Sequence, residues 1–130
     1  MKKYVIVILS IVCFQCCQYL YEPVQIISKA ESIVLEWDTP SINVMGEVVH
    51  IKSYRVFYRE HGSGYWVLLA EIPAEKKPKY TIYHSDLGDG LFDFAVNAVY
   101  ENRLNSALHT SRDITADPFG GWYLLWIRSE

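Results

Sequence analysis

The feature that most constrains this chain is alternation. Across residues 91–100 apolar side chains recur at every second position, with Phe92, Phe94, Val96 and Ala98 on one face. A spacing of two lines such residues along one side of a pleated strand and scatters them around a helix. The same period returns at residues 32–37 (Ile33, Leu35 and Trp37 together) and at residues 54–59, where Tyr54, Val56 and Tyr58 oppose Arg55, Phe57 and Arg59. Further strand-like runs cover residues 66–72, 80–84 and, more briefly, 23–27 and 106–111. Between them stand turn formers: Asp38-Thr39-Pro40-Ser41, His61-Gly62-Ser63-Gly64, Glu75-Lys76-Lys77-Pro78 and Ser85-Asp86-Leu87-Gly88-Asp89-Gly90. Seven strands and no amphipathic helix are expected, which implies an all-β chain of two antiparallel sheets packed face to face.

The chain has 130 residues, 51% of them hydrophobic, enough for one domain with a real core. Its formal net charge is −3 and no like-charge run exceeds Lys76-Lys77. A nucleic-acid partner would call for a basic stripe to replace phosphate counterions, so none is expected.

Residues 1–17 read as a signal segment. Lys2 and Lys3 precede an apolar run over residues 4–14, too short to span a bilayer as a helix. Export is therefore expected, to a bacterial cell envelope or the medium. All three cysteines, Cys13, Cys16 and Cys17, lie here, so the domain that follows has no disulfide. Acylation of Cys16 or Cys17 as a lipoprotein would give a lipid anchor, the one membrane contact expected. The residues before each depart from the small-residue pattern of such sites, and simple cleavage followed by soluble secretion is the alternative.

From residue 22 to residue 112 the strands carry a recognisable series. Leu35-Glu36-Trp37 is followed by Ile51-Lys52-Ser53-Tyr54-Arg55-Val56-Phe57-Tyr58-Arg59, then Trp66 with Leu68. Tyr80-Thr81-Ile82 and Leu87 lead to Phe92-Asp93-Phe94-Ala95-Val96-Asn97-Ala98-Val99 and to Asn105-Ser106. In this order and spacing the chain resembles the fibronectin type III family. The resemblance implies an immunoglobulin-like sandwich of seven strands, in sheets of three and four, with Trp37 beneath Tyr54 and Val56. Two features depart from it. Phe92 stands where the family carries a tyrosine whose hydroxyl braces the preceding turn, so the turn at Gly88-Asp89-Gly90 must be held in another way. The loop over residues 40–50 is long and carries Ile42, Val44 and Met45.

No nucleophile elbow, phosphate loop or His-Glu-x-x-His motif is present, and no enzymatic activity, cofactor or metal is expected. His50, His61, His84 and His109 read as surface or strand residues. Asp86, Asp89 and Asp93 lack the ligand series of a calcium loop. Residues 113–130 form an aromatic extension in which Trp122, Tyr123, Leu124, Leu125, Trp126 and Ile127 run without a polar break. Such a segment either covers its own domain or serves a partner. Candidate partner-binding residues are Trp122, Tyr123, Leu124 and Trp126 with Ile42, Val44 and Met45. Two functional readings follow. One is a non-catalytic exported binding or assembly module using protein or glycan contacts. The other is a structural spacer or subunit of an envelope complex, docked through the aromatic segment.

Overall fold

The computed structural model describes residues 3–8 (backbone only), 22–38, 50–74, 77–102, 104–113 and 120–128. The alternating segments become strands. They are β1 (Lys3–Ile8), β2 (Val24–Ser28), β3 (Ser32–Trp37), β4 (Ile51–Glu60), β5 (Val67–Pro73) and β6 (Lys79–Tyr83), then a one-turn helix α1 (His84–Leu87), β7 (Gly90–Tyr100), β8 (His109–Thr110) and β9 (Trp122–Trp126). No described helix is long and apolar enough to cross a membrane.

Two sheets enclose the core in a sandwich-like arrangement. One has the order β1-β3-β6, and the other runs β2-β9-β7-β4-β5 with β8 also on β7. Neither is purely antiparallel, as had been expected: β1 runs parallel to β3, and β2 parallel to β9. Nor is the division three and four strands. The smaller sheet gains β1, and the larger gains β2 and β9.

The inward positions are those the alternation marks. Ile33, Leu35 and Trp37 from β3 and Ile82 from β6 pack against Tyr54, Val56, Phe92, Phe94, Val96 and Ala98 of the other layer. Trp37 meets Tyr54 edge-to-face at 5.4 Å. Pro73 ends β5 opposite Ser53, on an edge strand where a missing N–H leaves no ladder bond unmade.

The aromatic extension completes the sheet. β8 lies against Ala95 and Val96 of β7, and β9 lies against Gly90, Leu91 and Phe92. The Ser111 N–H donates to the Phe94 carbonyl at 2.7 Å, and the Trp122 N–H donates to the Ser111 carbonyl at 2.6 Å. β8 and β9 thus lie along one interrupted strand, which the chain leaves after Ser111 and rejoins at Trp122. The return needs glycine. Gly121 has φ +83°, and a Cβ there would sit 2.6 Å from the Ser111 carbonyl oxygen.

The turn before β7 is braced without a tyrosine hydroxyl. Asp89 accepts a backbone N–H from Arg128 at 3.1 Å and faces His84 Nε2 at 2.6 Å. The Gly88 N–H closes α1 onto the His84 carbonyl, with Gly88 at φ +79°. These bonds hold Asp89 below the ordinary aspartate range, the Arg128 N–H first and His84 second.

Candidate binding face

The side of the larger sheet turned away from the core carries a polar cluster joined by hydrogen bonds. Its centre is Asp93, fully buried although it alternates out of phase with the core residues Phe92 and Phe94. The β4–β7 register sets Arg59 opposite Asp93, and Arg59 Nε donates to Asp93 Oδ2 at 2.9 Å. Beyond β4 the chain turns over β7, where the His61 N–H reaches the Leu91 carbonyl at 2.9 Å. That turn sets His61 Nδ1 3.0 Å from Asp93 Oδ1. Arg59 Nε and His61 Nδ1 thus face the two oxygens of one carboxylate. Both carboxylate oxygens are satisfied, which a buried charge requires.

Side chains from other elements lock this centre. Tyr123 of β9 stacks on the His61 ring at 3.9 Å and 16°, and its hydroxyl donates to Gln25 Oε1 on β2. The Arg59 guanidinium lies 4.3 Å from the Trp66 ring centroid, a cation–π contact. The Arg112 guanidinium approaches His61 Nδ1 at 3.4 Å. Arg59 thus bonds the buried carboxylate directly, and Arg112 stands against the imidazole that shares it. No serine, threonine or cysteine side chain is bonded to His61 among the described residues. The hydroxyl of Ser63 accepts from the Tyr65 N–H, and that of Ser111 accepts from the Phe94 N–H. In this arrangement Asp93 holds the Arg59 and His61 side chains in place on the outer face.

An apolar row adjoins the cluster. The registers place Leu91 opposite Leu125 and Leu125 opposite Ile27. Leu91 is 39% and Ile27 52% exposed, so three aliphatic side chains cross three adjacent strands on the solvent side. A cross-strand apolar row beside fixed cations and aromatic rings has the chemistry of an interface.

The residues singled out in the sequence divide clearly. Trp122, Leu124 and Trp126 are fully buried core, so they are not a docking surface here. Trp126 Nε1 donates to the Ala30 carbonyl at 2.8 Å, and Phe94 and Trp122 lie 6.0 Å apart. Tyr123 alone of the four stands on the outer face. Cys16, Cys17, Ile42, Val44 and Met45 lie outside the described residues. Asp86, Asp89 and Asp93 serve three different tasks: Asp86 receives the Tyr83 N–H, Asp89 braces the turn, and Asp93 anchors the cluster. No group of three or more His, Cys, Asp or Glu side chains is placed to hold a metal among the described residues.

The cluster itself is not visible in the sequence. Its signal was present, since Arg59 sits on the face opposite Tyr58 and Asp93 on the face opposite Phe92. Only a cross-strand register could join the two. Compared with models of known protein families and with curated protein sequences, the chain matches none.

Proposed function

We propose that this chain is a non-catalytic, exported binding or assembly module of a bacterial cell envelope. It is built on a fibronectin type III-like sandwich and acts through protein or glycan contacts on the outer face of its larger sheet. The observation that carries this reading is the Ile27–Leu125–Leu91 row set beside the Arg59–Asp93–His61 cluster. An exposed apolar row loses free energy in water, whereas charges already fixed by a buried aspartate are pre-ordered for contact. The family resemblance draws support from the adjacency of β3 with β6 and of β5, β4, β7 and β8, and from Trp37 packed on Tyr54. Export rests on the basic start and short apolar run of residues 1–17.

Docking of a spacer through the aromatic segment would use Trp122, Leu124 and Trp126, which are spent on the core. That segment offers a partner Tyr123 and Leu125.

Glycan-array binding and co-purification from envelope extracts test the face. The exported protein is compared with an Ile27→Lys/Leu91→Lys variant, whose new charges point into solvent. Binding lost at unchanged melting temperature is the expected result. Full binding by the variant would move the interface elsewhere.

A further inference from the structure

The edges of the two sheets are protected unequally. β5 carries Pro73 and Glu71, β6 begins at Lys79 directly after Pro78, and β2 is five residues long and follows Pro23. Prolines, charges and short length are the usual means by which an edge strand is kept from pairing with foreign chains. β3 has none of the first kind. Its sequence, Ser-Ile-Val-Leu-Glu-Trp, contains no proline, no lysine and no register shift, and its one charge is Glu36.

β3 has β6 on one side and β1 on the other. Pairing with β1 is parallel and unbroken across six residue pairs, from Lys3 opposite Ser32 to Ile8 opposite Trp37. Yet β1 lies inside the segment read as a leader, and its removal would uncover the β3 edge along its whole length. Ile82, Tyr54, Val56, Phe92 and Phe94, which back β3, all lie outside the leader and remain after its cleavage. What remains is a strand with Ile33, Leu35 and Trp37 anchored in that core and a row of N–H and C=O groups without a neighbour.

We propose that the β3 edge of the exported protein is a strand-acceptor site. Its occupant is an extended segment of a partner subunit, about six residues long, rich in β-branched residues, free of proline and parallel to β3. The chemistry is that of the strand seated there, Lys-Tyr-Val-Ile-Val-Ile. Backbone hydrogen bonds supply the affinity, and side chains at alternate positions supply the selection. The leader occupies the edge until cleavage, so acceptance of a partner follows export. This inference rests on the export reading.

The test begins with intact mass of the protein recovered from the envelope or medium, which establishes that residues 1–15 at least are gone. A mass retaining Met1 would sink the export reading itself. On protein of verified cleaved mass, a labelled synthetic peptide carrying residues 3–8 is titrated beside the same peptide with Val5→Pro and Ile6→Pro. Consecutive prolines remove the ladder donor whichever of the two faces β3. Saturable binding at least about fivefold tighter for the unsubstituted peptide is expected, given that the lost backbone bond costs about 1 kcal/mol. Hydrogen exchange should show amides in Ser32–Trp37 slowed by that peptide. Equal binding of both peptides would mean apolar adhesion and overturn the proposal. Protection of the Val34 and Glu36 amides, which alternate with the Trp37 N–H bonded on the β6 side and so face the open edge, before any peptide is added would overturn it too. If that protection depends on protein concentration, the occupant is a second copy of the chain and not a partner's strand.

Discussion

Trp126→Ala removes the side chain that ties the C-terminal strand to both of its neighbours. Trp126 is fully buried, sits opposite Gly90 on β7 and Ser28 on β2, and meets His84 edge-on at 5.2 Å. Emptying a buried tryptophan site costs about 3–5 kcal/mol. The Ala30 carbonyl also loses its indole donor, which adds about 1 kcal/mol. A total of about 4–6 kcal/mol is comparable to the whole stability of a marginal domain. At about 4 °C per kcal/mol for this size, the melting temperature should fall by about 15–25 °C. Trp126→Phe keeps most of the volume and should lose only about 1–3 kcal/mol, chiefly from the unpaired carbonyl. Thermal melts followed by circular dichroism measure both. A Trp126→Ala melt within 2–3 °C of the parent, on the order of 0.5 kcal/mol, would refute the placement of β9 in the core and return the segment to a partner. Truncation after Asp117 sharpens the contrast. β9 lies between β2 and β7, so its loss also detaches β2, and the truncated chain should fail to fold cooperatively.

Four other outcomes are expected. Gly121→Ala should destabilise by about 1–3 kcal/mol from its positive φ alone, and by more if the Ser111 carbonyl cannot yield; an unchanged melt would contradict the close return of the chain at that point. Asp93→Asn leaves Arg59 facing a neutral group in a buried site and should cost about 3 kcal/mol, and a double-mutant cycle with Arg59→Met should show coupling between the two. Trp37→Ala should cost about 3–5 kcal/mol, read by urea denaturation. Asp89 titrates low in the folded state, so its contribution is fully present above about pH 4 and is lost as pH falls through its depressed value. The stability difference between the parent and Asp89→Asn should therefore be present near neutrality and shrink in acid, and a difference constant with pH would contradict the depressed value.

The inward faces of the strands could be read from the sequence because side-chain period fixes them without knowledge of any partner. Ile33, Leu35 and Trp37 alternate, and so do Phe92, Phe94 and Val96; all six are buried. Pairing was less legible, since it depends on chain reversal at a distance. The sequence pattern predicts a last strand over residues 106–111, yet only His109 and Thr110 form β8, and the sheet resumes at Trp122. Two glycines at φ +96° and +83° make that return feasible, but Gly120-Gly121 shows in sequence only that a turn occurs, not where the chain goes next. The brace that replaces a tyrosine hydroxyl was legible as a need and not as a solution. Its parts, His84, Asp89 and the Arg128 N–H, are scattered over the chain.

The same limit explains why the candidate face escaped a sequence reading, and why it depends on the C-terminal strand. Period two makes Tyr123 and Leu125 outward the moment Trp122, Leu124 and Trp126 are inward. Burial of the three large side chains thus fixes the other two beside His61 and between Leu91 and Ile27. One apolar run therefore closes the core with one face and furnishes the candidate contact surface with the other. A substitution at Tyr123 should disturb recognition with little loss of stability, whereas one at Leu124 should do the reverse. Tyr123→Ser and Leu124→Ala compared in a single binding and melting series would separate the two roles, and equal losses of stability in both would show that the outward ring is structural.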